Sequence, residues 1–273
     1  MKYDIYQADC LDLLSSIPTG SADLIITSPP YNIGKNYEKK NLLSFYEYIQ
    51  WQSKVIQLAT MACSDKGSIC WQVGNFIDHD GVVMPLDCVL WNSFILQGLI
   101  PRNRIVWTFD HGLHCKNRFS GRHETVLWFT KGKEYTFNLD PVRVPQKYKN
   151  KKHYKGPKKG LLSCNPLGKN PGDVWHIPNV KHNHVEKTEH ECQFPYELAA
   201  RLVLSLTNKG DLVVDPFMGS GTSGVAAALH ERSFSGCDTD MKSINIAKDR
   251  IAKAIDGTVN VRTGFYSDEI GGK

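Results

Sequence analysis

Two hydrophobic periods take turns along most of this chain. Residues 1–7 alternate with period two and predict a short strand; LDLLSSIP (Leu11–Pro18) predicts a short helix ending before its proline. Asp23–Thr27 is a compact apolar run, the pattern of a parallel strand buried on both faces. Helical spacing follows over Phe45–Cys63, broken by Gly67, and then a strand over Ser68–Val73. A helix over Pro85–Gly98 precedes strands at Arg104–Phe109 and Thr125–Phe129. After Lys131 the pattern fails until Pro195, apart from short apolar pieces such as Val174–Ile177. Order then returns as helix Pro195–Leu206, strand Asp211–Asp215, helix Ser223–Leu229, strand Ser233–Asp238 and helix Met241–Ala254. The alternation predicts an α/β fold with a largely parallel sheet. It divides the chain into a main domain, residues 1–131 and 190–260, an irregular insert at 132–189, and a flexible tail at 261–273.

Composition narrows the class without changing that picture. The 273 residues are 41% hydrophobic and 22% charged, ordinary for a soluble globular chain. No apolar run approaches the length of a membrane span, and the N-terminus lacks a basic region followed by an apolar one. Eight scattered cysteines with no CxxC pair suit reduced thiols, so a cytoplasmic location is expected. His182, His184, His190 and Cys192 fit no tight zinc spacing, and no metal is expected. The net charge of +5 is concentrated: Arg143–Lys159 carries one arginine and seven lysines with no acid. That run is either a solvated basic loop or a phosphate-contacting surface, with Tyr148, His153 and Tyr154 interleaved among the lysines.

Two motifs carry candidate chemistry. In ITSPPYN (Ile26–Asn32), two prolines end the apolar strand; they fix the backbone, remove two N–H donors and set Ser28 beside Tyr31. In VVDPFMGSGTSG (Val213–Gly224), a strand runs directly into Gly219, Ser220 and Gly221, and a small-residue helix follows. Closely spaced glycines let backbone approach a ligand, and Asp238, at the end of the next strand, is placed to bind ribose hydroxyls. The order strand, turn, helix, strand, acid points to a nucleoside-cofactor pocket; the spacing departs from the dinucleotide fingerprint and there is no Walker lysine.

TSPPY at Thr27–Tyr31 and DPFMGSGT at Asp215–Thr222, in that order around a basic insert, resemble the amino-methyltransferases of bacterial DNA modification systems in their β-type arrangement. The resemblance runs from Tyr3 to about Ala254 and is weakest across the insert. It implies a Rossmann-like fold, S-adenosylmethionine as cofactor, double-stranded DNA as substrate, and the insert as a target-recognition region. It implies catalytic roles for Ser28, Pro29, Pro30 and Tyr31. Asp215, Phe217, Gly219, Gly221 and Thr222 would line the cofactor, with Asp238 at its ribose and Asp9 near its adenine. Lys35, Arg118 and Arg122 (the last two in RFSGRHE), with Lys147, Lys149, Lys151, Lys152, Lys155, Lys158 and Lys159, would meet DNA. Asn165, His182, Asn183 and His184 are candidate base readers, against an ordinary role in turns.

The expected reaction moves a sulfonium methyl to an exocyclic base amine, whose lone pair is delocalised into the ring. Ser28 Oγ and the Pro29 carbonyl are the natural acceptors for its N–H groups, and Tyr31 would stack on a base taken out of the duplex. Members with serine before Pro-Pro are usually cytosine-N4 enzymes and those with Asp or Asn usually adenine-N6 enzymes, so Ser28 favours cytosine N4, with adenine N6 the alternative. A DNA-binding protein without catalysis and an RNA methyltransferase are the rival classes. The resemblance is compatible with a cognate restriction endonuclease acting on the same site and with a homodimer.

Overall fold

The computed structural model describes residues 1–35, 43–78 and 80–262. The elements run β1 (Tyr3–Gln7), α1 (Cys10–Ser16), β2 (Ala22–Thr27), α2 (Phe45–Ala62), β3 (Cys63–Val73), β4 (Asn75–Ile77), β5 (Val83–Pro85), α3 (Leu86–Leu96), β6 (Ile100–Thr108), β7 (His123–Thr130), β8 (Val174–His176), α4 (Tyr196–Leu206), β9 (Leu212–Asp215), α5 (Thr222–Leu229), β10 (Ser233–Asp238) and α6 (Met241–Ile255). Side chains punctuate the helices where the chain enters them. Asp9 accepts from the Leu11 N–H at 2.8 Å to start α1, Ser44 and Glu47 form a reciprocal capping box on α2, and Asp240 accepts from the Ser243 N–H at 3.0 Å to start α6.

Eight strands form one sheet in the order β1-β10-β9-β2-β3-β7-β6-β8, with β4 and β5 paired apart from it. Within the eight-stranded sheet all pairings are parallel except those of β7, which runs against β3 and β6. Both faces are covered. Leu24, Ile26, Val126 and Val213 point into a core with α4, α5 and α6; Ile25, Ile69, Leu127 and Val214 point into another with α1, α2 and α3. Burial on both faces is why β2 reads as a continuous apolar run, each such side chain contributing about 1.5–3 kcal/mol.

Apart from the unexpected β4–β5 pair and a β6 that starts at Ile100 rather than Arg104, the sequence and the structure differ at three places. β3 starts at Cys63, directly where α2 ends, rather than at Ser68. The five extra residues form an irregularity against β2, and Gly67 has no room for a side chain, since a Cβ there would lie 2.8 Å from Cys63 Sγ and 2.9 Å from the Ala22 carbonyl. Val174–His176, within the range read as the insert, is the eighth strand of the main sheet, and Trp175 and Ile177 are buried in its core. At the other end, Val261 packs on the core and the Arg262 N–H donates to Glu186 Oε1 at 3.0 Å, so the chain is held to residue 262; the remainder of the expected tail lies outside the described residues. Between its ends the insert folds back on itself: Val144 bridges Lys169 and Lys152 bridges Leu162, with the His153 N–H donating to the Leu161 carbonyl at 2.9 Å. Among the described residues no helix is long and apolar enough to cross a membrane.

The neighbours β2 and β9 are where the chain changes direction. From β2 it goes to α2 on one face, and from β9 to α5 on the other, which opens a crevice at their carboxyl ends. The crevice is bolted by Asp215, which is fully buried. Its Oδ1 accepts from Thr27 Oγ1 at 2.6 Å and from the Phe217 N–H at 3.1 Å, and its Oδ2 accepts from Ser223 Oγ. Burial outweighs these three donors and pushes its carboxyl up to about 6 from 3.8, with the Asp238 charge adding to the rise. Because the folded value is the higher one, this group's contribution to stability is fully present below pH 3.8 and is lost as pH rises through about 6. Denaturant unfolding across that window should therefore show wild type losing on the order of 3 kcal/mol relative to Asp215→Asn, which cannot titrate. A stability difference between the two that is flat with pH would show that Asp215 does not titrate there.

Candidate active site

The strand order aligns four carboxyl ends. Gln7 pairs with Asp238, Gly236 with Asp215, and Ile25 with Val214, so Asp9, Asp238, Asp215 and Ser28 follow one another along a single edge of the sheet. Residues almost two hundred positions apart thus meet because β9 and β10 are inserted between β1 and β2.

At the Ser-Pro-Pro-Tyr loop, Pro29 is buried and Ser28, Pro30 and Tyr31 are half-buried. Tyr48 Oη, from α2, donates to the Pro30 carbonyl at 3.0 Å, whereas no donor from the described residues reaches the Pro29 carbonyl. Asn32 takes a left-handed backbone (φ 59°), and its side chain donates to the Leu43 carbonyl at 2.7 Å and accepts from the Leu43 N–H at 3.0 Å. The loop is thereby held from both sides, with Ser28 Oγ and the Pro29 carbonyl among the groups it can offer a ligand. Ser28 Oγ and Tyr31 Oη lie 3.4 Å apart, and Tyr31 Oη donates to Glu124 Oε2 at 3.3 Å. Lys35 sits half-buried where the described part of this loop ends.

At the glycine turn, Gly219 and Gly221 both have left-handed backbones, φ 49° and 76°. The bare face of Gly221 is needed by α6, since a Cβ there would lie 2.8 Å from the Cβ of Ala247. Thr222 is buried and its hydroxyl accepts from Arg250 at 3.0 Å; the same guanidinium nitrogen donates to the Ser220 carbonyl at 2.7 Å. These two residues therefore shape the turn from inside, and what they can offer a ligand is backbone. Phe217 is half-buried, edge-on to Trp51 and Trp71 with centroids at 5.5 and 6.5 Å. Asp215 has both oxygens engaged within the chain, as described above.

Asp238 is placed differently. One oxygen accepts from the Gly219 N–H at 3.1 Å and the other from the Asp240 N–H at 2.8 Å. A carboxylate offers about four lone-pair sites, so two remain for a pair of hydroxyls. Burial pushes its carboxyl upward, while nearby His190 pulls it down. Asp9 is exposed at the end of β1, capping α1. Vicinal-diol acceptors beside a glycine turn and an open serine fit a ribose-bearing cofactor whose reactive end faces Ser28.

The DNA-facing candidates fall into three groups. Lys147, Lys149, Lys151, Lys152, Lys155, Lys158 and Lys159 are all exposed on the folded-back segment between Val144 and Lys169, and Lys147, Lys151 and Lys152 line a concavity of about 650 Å³ there. This segment feeds β8, which pairs with the last three residues of β6, so it joins the sheet at the same end as Ser28, four strands over from β2. Arg118 is exposed on the 109–122 loop at that end of the sheet, and Arg122 donates through one guanidinium nitrogen to the Leu113 and Gly121 carbonyls at 3.2 and 2.7 Å. Asn165 caps a turn at the Leu167 N–H, while His182, Asn183 and His184 follow β8 on the catalytic side.

Four residues near the site have no role assigned from the sequence. His190 stands over the glycine turn: a Cβ on Gly219 would lie 2.9 Å from its Nε2, and burial lowers its pKa. Its Nδ1 accepts from the Cys192 N–H at 3.3 Å, so Nε2 carries the proton of the neutral ring. Arg250 braces the turn, and Gln72 donates to Glu124. Glu124 ends the RFSGRHE stretch, which alone gave a signal. Among the described residues no group of three or more His, Cys, Asp or Glu side chains could hold a metal ion.

A family model described as DNA methylase matches residues 22–249. The type II methyltransferase M.BglII of Bacillus subtilis is 50% identical over 243 residues, 89% of this chain and 67% of that protein. The DNA adenine methyltransferase YhdJ of Escherichia coli strain K12 is 32% identical over 253 residues, 90% of this chain and 82% of that one. Among solved structures, the PvuII DNA methyltransferase, cytosine-N4-specific, superposes with a TM-score of 0.72 at 21% identity, covering 96% of this chain and 94% of that one. The named relatives thus include enzymes of both base types, while the motifs that meet at Ser28 and Asp238 lie inside the matched span or beside its chemistry. The chain belongs to the DNA methylase family of N6- and N4-directed amino-methyltransferases, with S-adenosylmethionine as its methyl donor.

Proposed function

We propose that this protein is a site-specific methyltransferase that modifies the exocyclic N4 amine of a cytosine flipped out of duplex DNA, acting in a restriction–modification setting. The observation that carries the reading is Ser28: a neutral hydroxyl, next to an unclaimed Pro29 carbonyl, at the carboxyl end of the strand that Asp215 bolts to the glycine turn. When bound, S-adenosylmethionine supplies an electrophilic methyl group on a sulfonium. The chain supplies the rest. Asp238, aligned by the Gly219 N–H, would hold the nucleoside, and the brace from Arg250 keeps the turn in shape before anything binds. Ser28 Oγ and the Pro29 carbonyl accept the two amine N–H bonds, drawing the nitrogen lone pair out of conjugation and toward the methyl. The two prolines contribute no N–H that could compete for that amine.

Adenine N6 is the second reading, favoured by the likeness to YhdJ over 90% of this chain. Both base amines present two N–H groups, and both fit the same pair of acceptors. The exposed lysines between Val144 and Lys169 would contact phosphates, while Asn165, His182, Asn183 and His184 would be the candidates for reading bases. Residues 132–189 then act as a recognition region tied to the main sheet through Val174–His176.

Methylation of plasmid DNA followed by nucleoside mass analysis tests the base: N4-methylcytosine is expected, and N6-methyladenine alone would overturn the cytosine assignment. Ser28→Ala should slow single-turnover methyl transfer about 100-fold while leaving cofactor affinity within about threefold. A loss confined to cofactor binding would contradict the role given to Ser28. Replacing Lys151, Lys152, Lys155 and Lys158 by alanine should weaken DNA binding and lower the slope of log K against log salt by about 0.9 for each phosphate no longer neutralised. An unchanged slope would remove the lysine segment from the DNA interface.

A further inference from the structure

Glu124 lies at the start of β7 beside the catalytic loop, and it serves neither the cofactor turn nor the core. Its Oε2 accepts from two donors, Tyr31 Oη at 3.3 Å and Gln72 Nε2, so that oxygen carries no proton. This fixes the polarity of everything connected to it. Tyr31 must point its hydrogen at Glu124, which turns the tyrosine lone pairs toward Ser28 Oγ, 3.4 Å away. Ser28 then points its own hydrogen at Tyr31 and presents its lone pairs to whatever lies in front of it. A serine can accept from an amine only if its proton has somewhere else to go, and this chain provides the place. The contact is also crowded on its far side, where a Cβ on Gly74 would lie 3.0 Å from the Tyr31 ring and 3.3 Å from Glu124 Oε1. The tyrosine ring cannot swing that way.

We propose that Glu124 is the positioning residue of the reaction: acting through Tyr31 and Ser28, it orients the serine as an acceptor and takes up the proton that the target amine releases. The inference rests on the amine-methylation reading above. The step balances. The amine nitrogen forms its bond to the methyl carbon as the carbon–sulfur bond breaks and that electron pair stays on sulfur. The nitrogen, now positively charged, gives a proton to Ser28 Oγ, the serine proton passes to Tyr31 Oη, and the tyrosine proton passes to the Glu124 carboxylate. Serine and tyrosine end neutral, and one carboxylate has become one carboxylic acid.

The electrostatics suit a proton acceptor. Burial pushes the Glu124 carboxyl upward, whereas the donors Gln72 and Tyr31 and the positive charge of Lys181, after β8, pull it down. Tyr31 is held well above its ordinary value by burial and by the Glu124 charge, with Tyr48 of α2 adding to the rise, so it passes a proton without resting as a phenolate. Protonation of Glu124 in the resting enzyme would block the path, which predicts a loss of rate toward acid pH.

The test compares wild type, Glu124→Gln and Tyr31→Phe in single-turnover methyl transfer to plasmid DNA from about pH 5.5 to about pH 8.5. Thermal unfolding and cofactor titration are the controls. Glu124→Gln can still accept the tyrosine hydrogen but cannot take up a proton. It should bind cofactor within about threefold of wild type, transfer methyl about 100-fold more slowly and lack the acid limb seen in wild type. Tyr31→Phe keeps the ring and the carboxylate but cuts the chain, so it should show the same slow, flat profile, and it carries the test alone if the glutamine variant does not fold. A rate within about threefold of wild type, or an acid limb surviving in either variant, would overturn the role. Wild-type protein that transfers no methyl to DNA would instead remove the underlying reading and this role with it, an outcome distinguishable from an active wild type with unaffected variants.

Discussion

One buried carboxylate makes a single site out of two distant stretches of sequence. Asp215 ends β9, yet its hydrogen bonds reach sideways to Thr27, the residue before Ser28, and forward to Phe217 and Ser223, on either side of the glycine turn. Desolvating a carboxylate this completely is unfavourable, and three donors offset only part of the cost. The fold retains it because a shift of either strand along the other would strand the charge without partners. The register of β2 against β9 is thus fixed chemically where it matters, at the edge that carries the reaction, as well as by the apolar faces behind it.

From that bolt the remaining geometry follows in both directions. Toward the cofactor side, the turn is shaped by contacts behind it: Ala247 fills the space beneath Gly221, and Arg250 holds Ser220 and Thr222. The front of the turn is left to Asp238, since the N–H groups of Phe217, Met218, Gly219 and Gly221 are already donated within the chain. Toward the substrate side, Tyr48 and Leu43 fasten Pro30 and Asn32, so the acceptors left open are those an amine needs. Placing the crevice between strands whose helices go to opposite faces gives both ligands an unobstructed approach.

Much of this was legible in the sequence because it is written locally. The apolar run Leu24–Ile26, the Pro-Pro step and the closely spaced glycines each state a backbone requirement at the place where it is met. The order of Asp215 and Asp238 around the turn likewise survives without knowledge of the tertiary structure. What was hidden depends on partners far apart in the chain. Tyr31 and Glu124 are separated by 93 positions, and nothing in the periodicity of either strand tells which side chains meet across β3. Phe217 reads as a ligand-lining aromatic, and only the packing of Trp51 and Trp71 shows how much of its ring is already used. The lysine-rich segment has no alternation to announce that it pairs with itself, because lysine, glycine and proline dominate the stretch. Val174–His176 was visible as an apolar fragment, but three residues are too few to declare a strand until β6 supplies the partner.

The central claim is that a flipped base delivers its exocyclic amine to Ser28 Oγ and the Pro29 carbonyl at the edge that Asp215 fastens. The most direct test is a structure of the protein with duplex DNA containing its methylation site and an unreactive analogue of the cofactor. The base should be extruded, with its amine nitrogen about 3 Å from both acceptors and the nucleoside hydroxyls of the cofactor on Asp238. A target base left stacked in the duplex, or an amine held by other groups with Ser28 turned away, would contradict it.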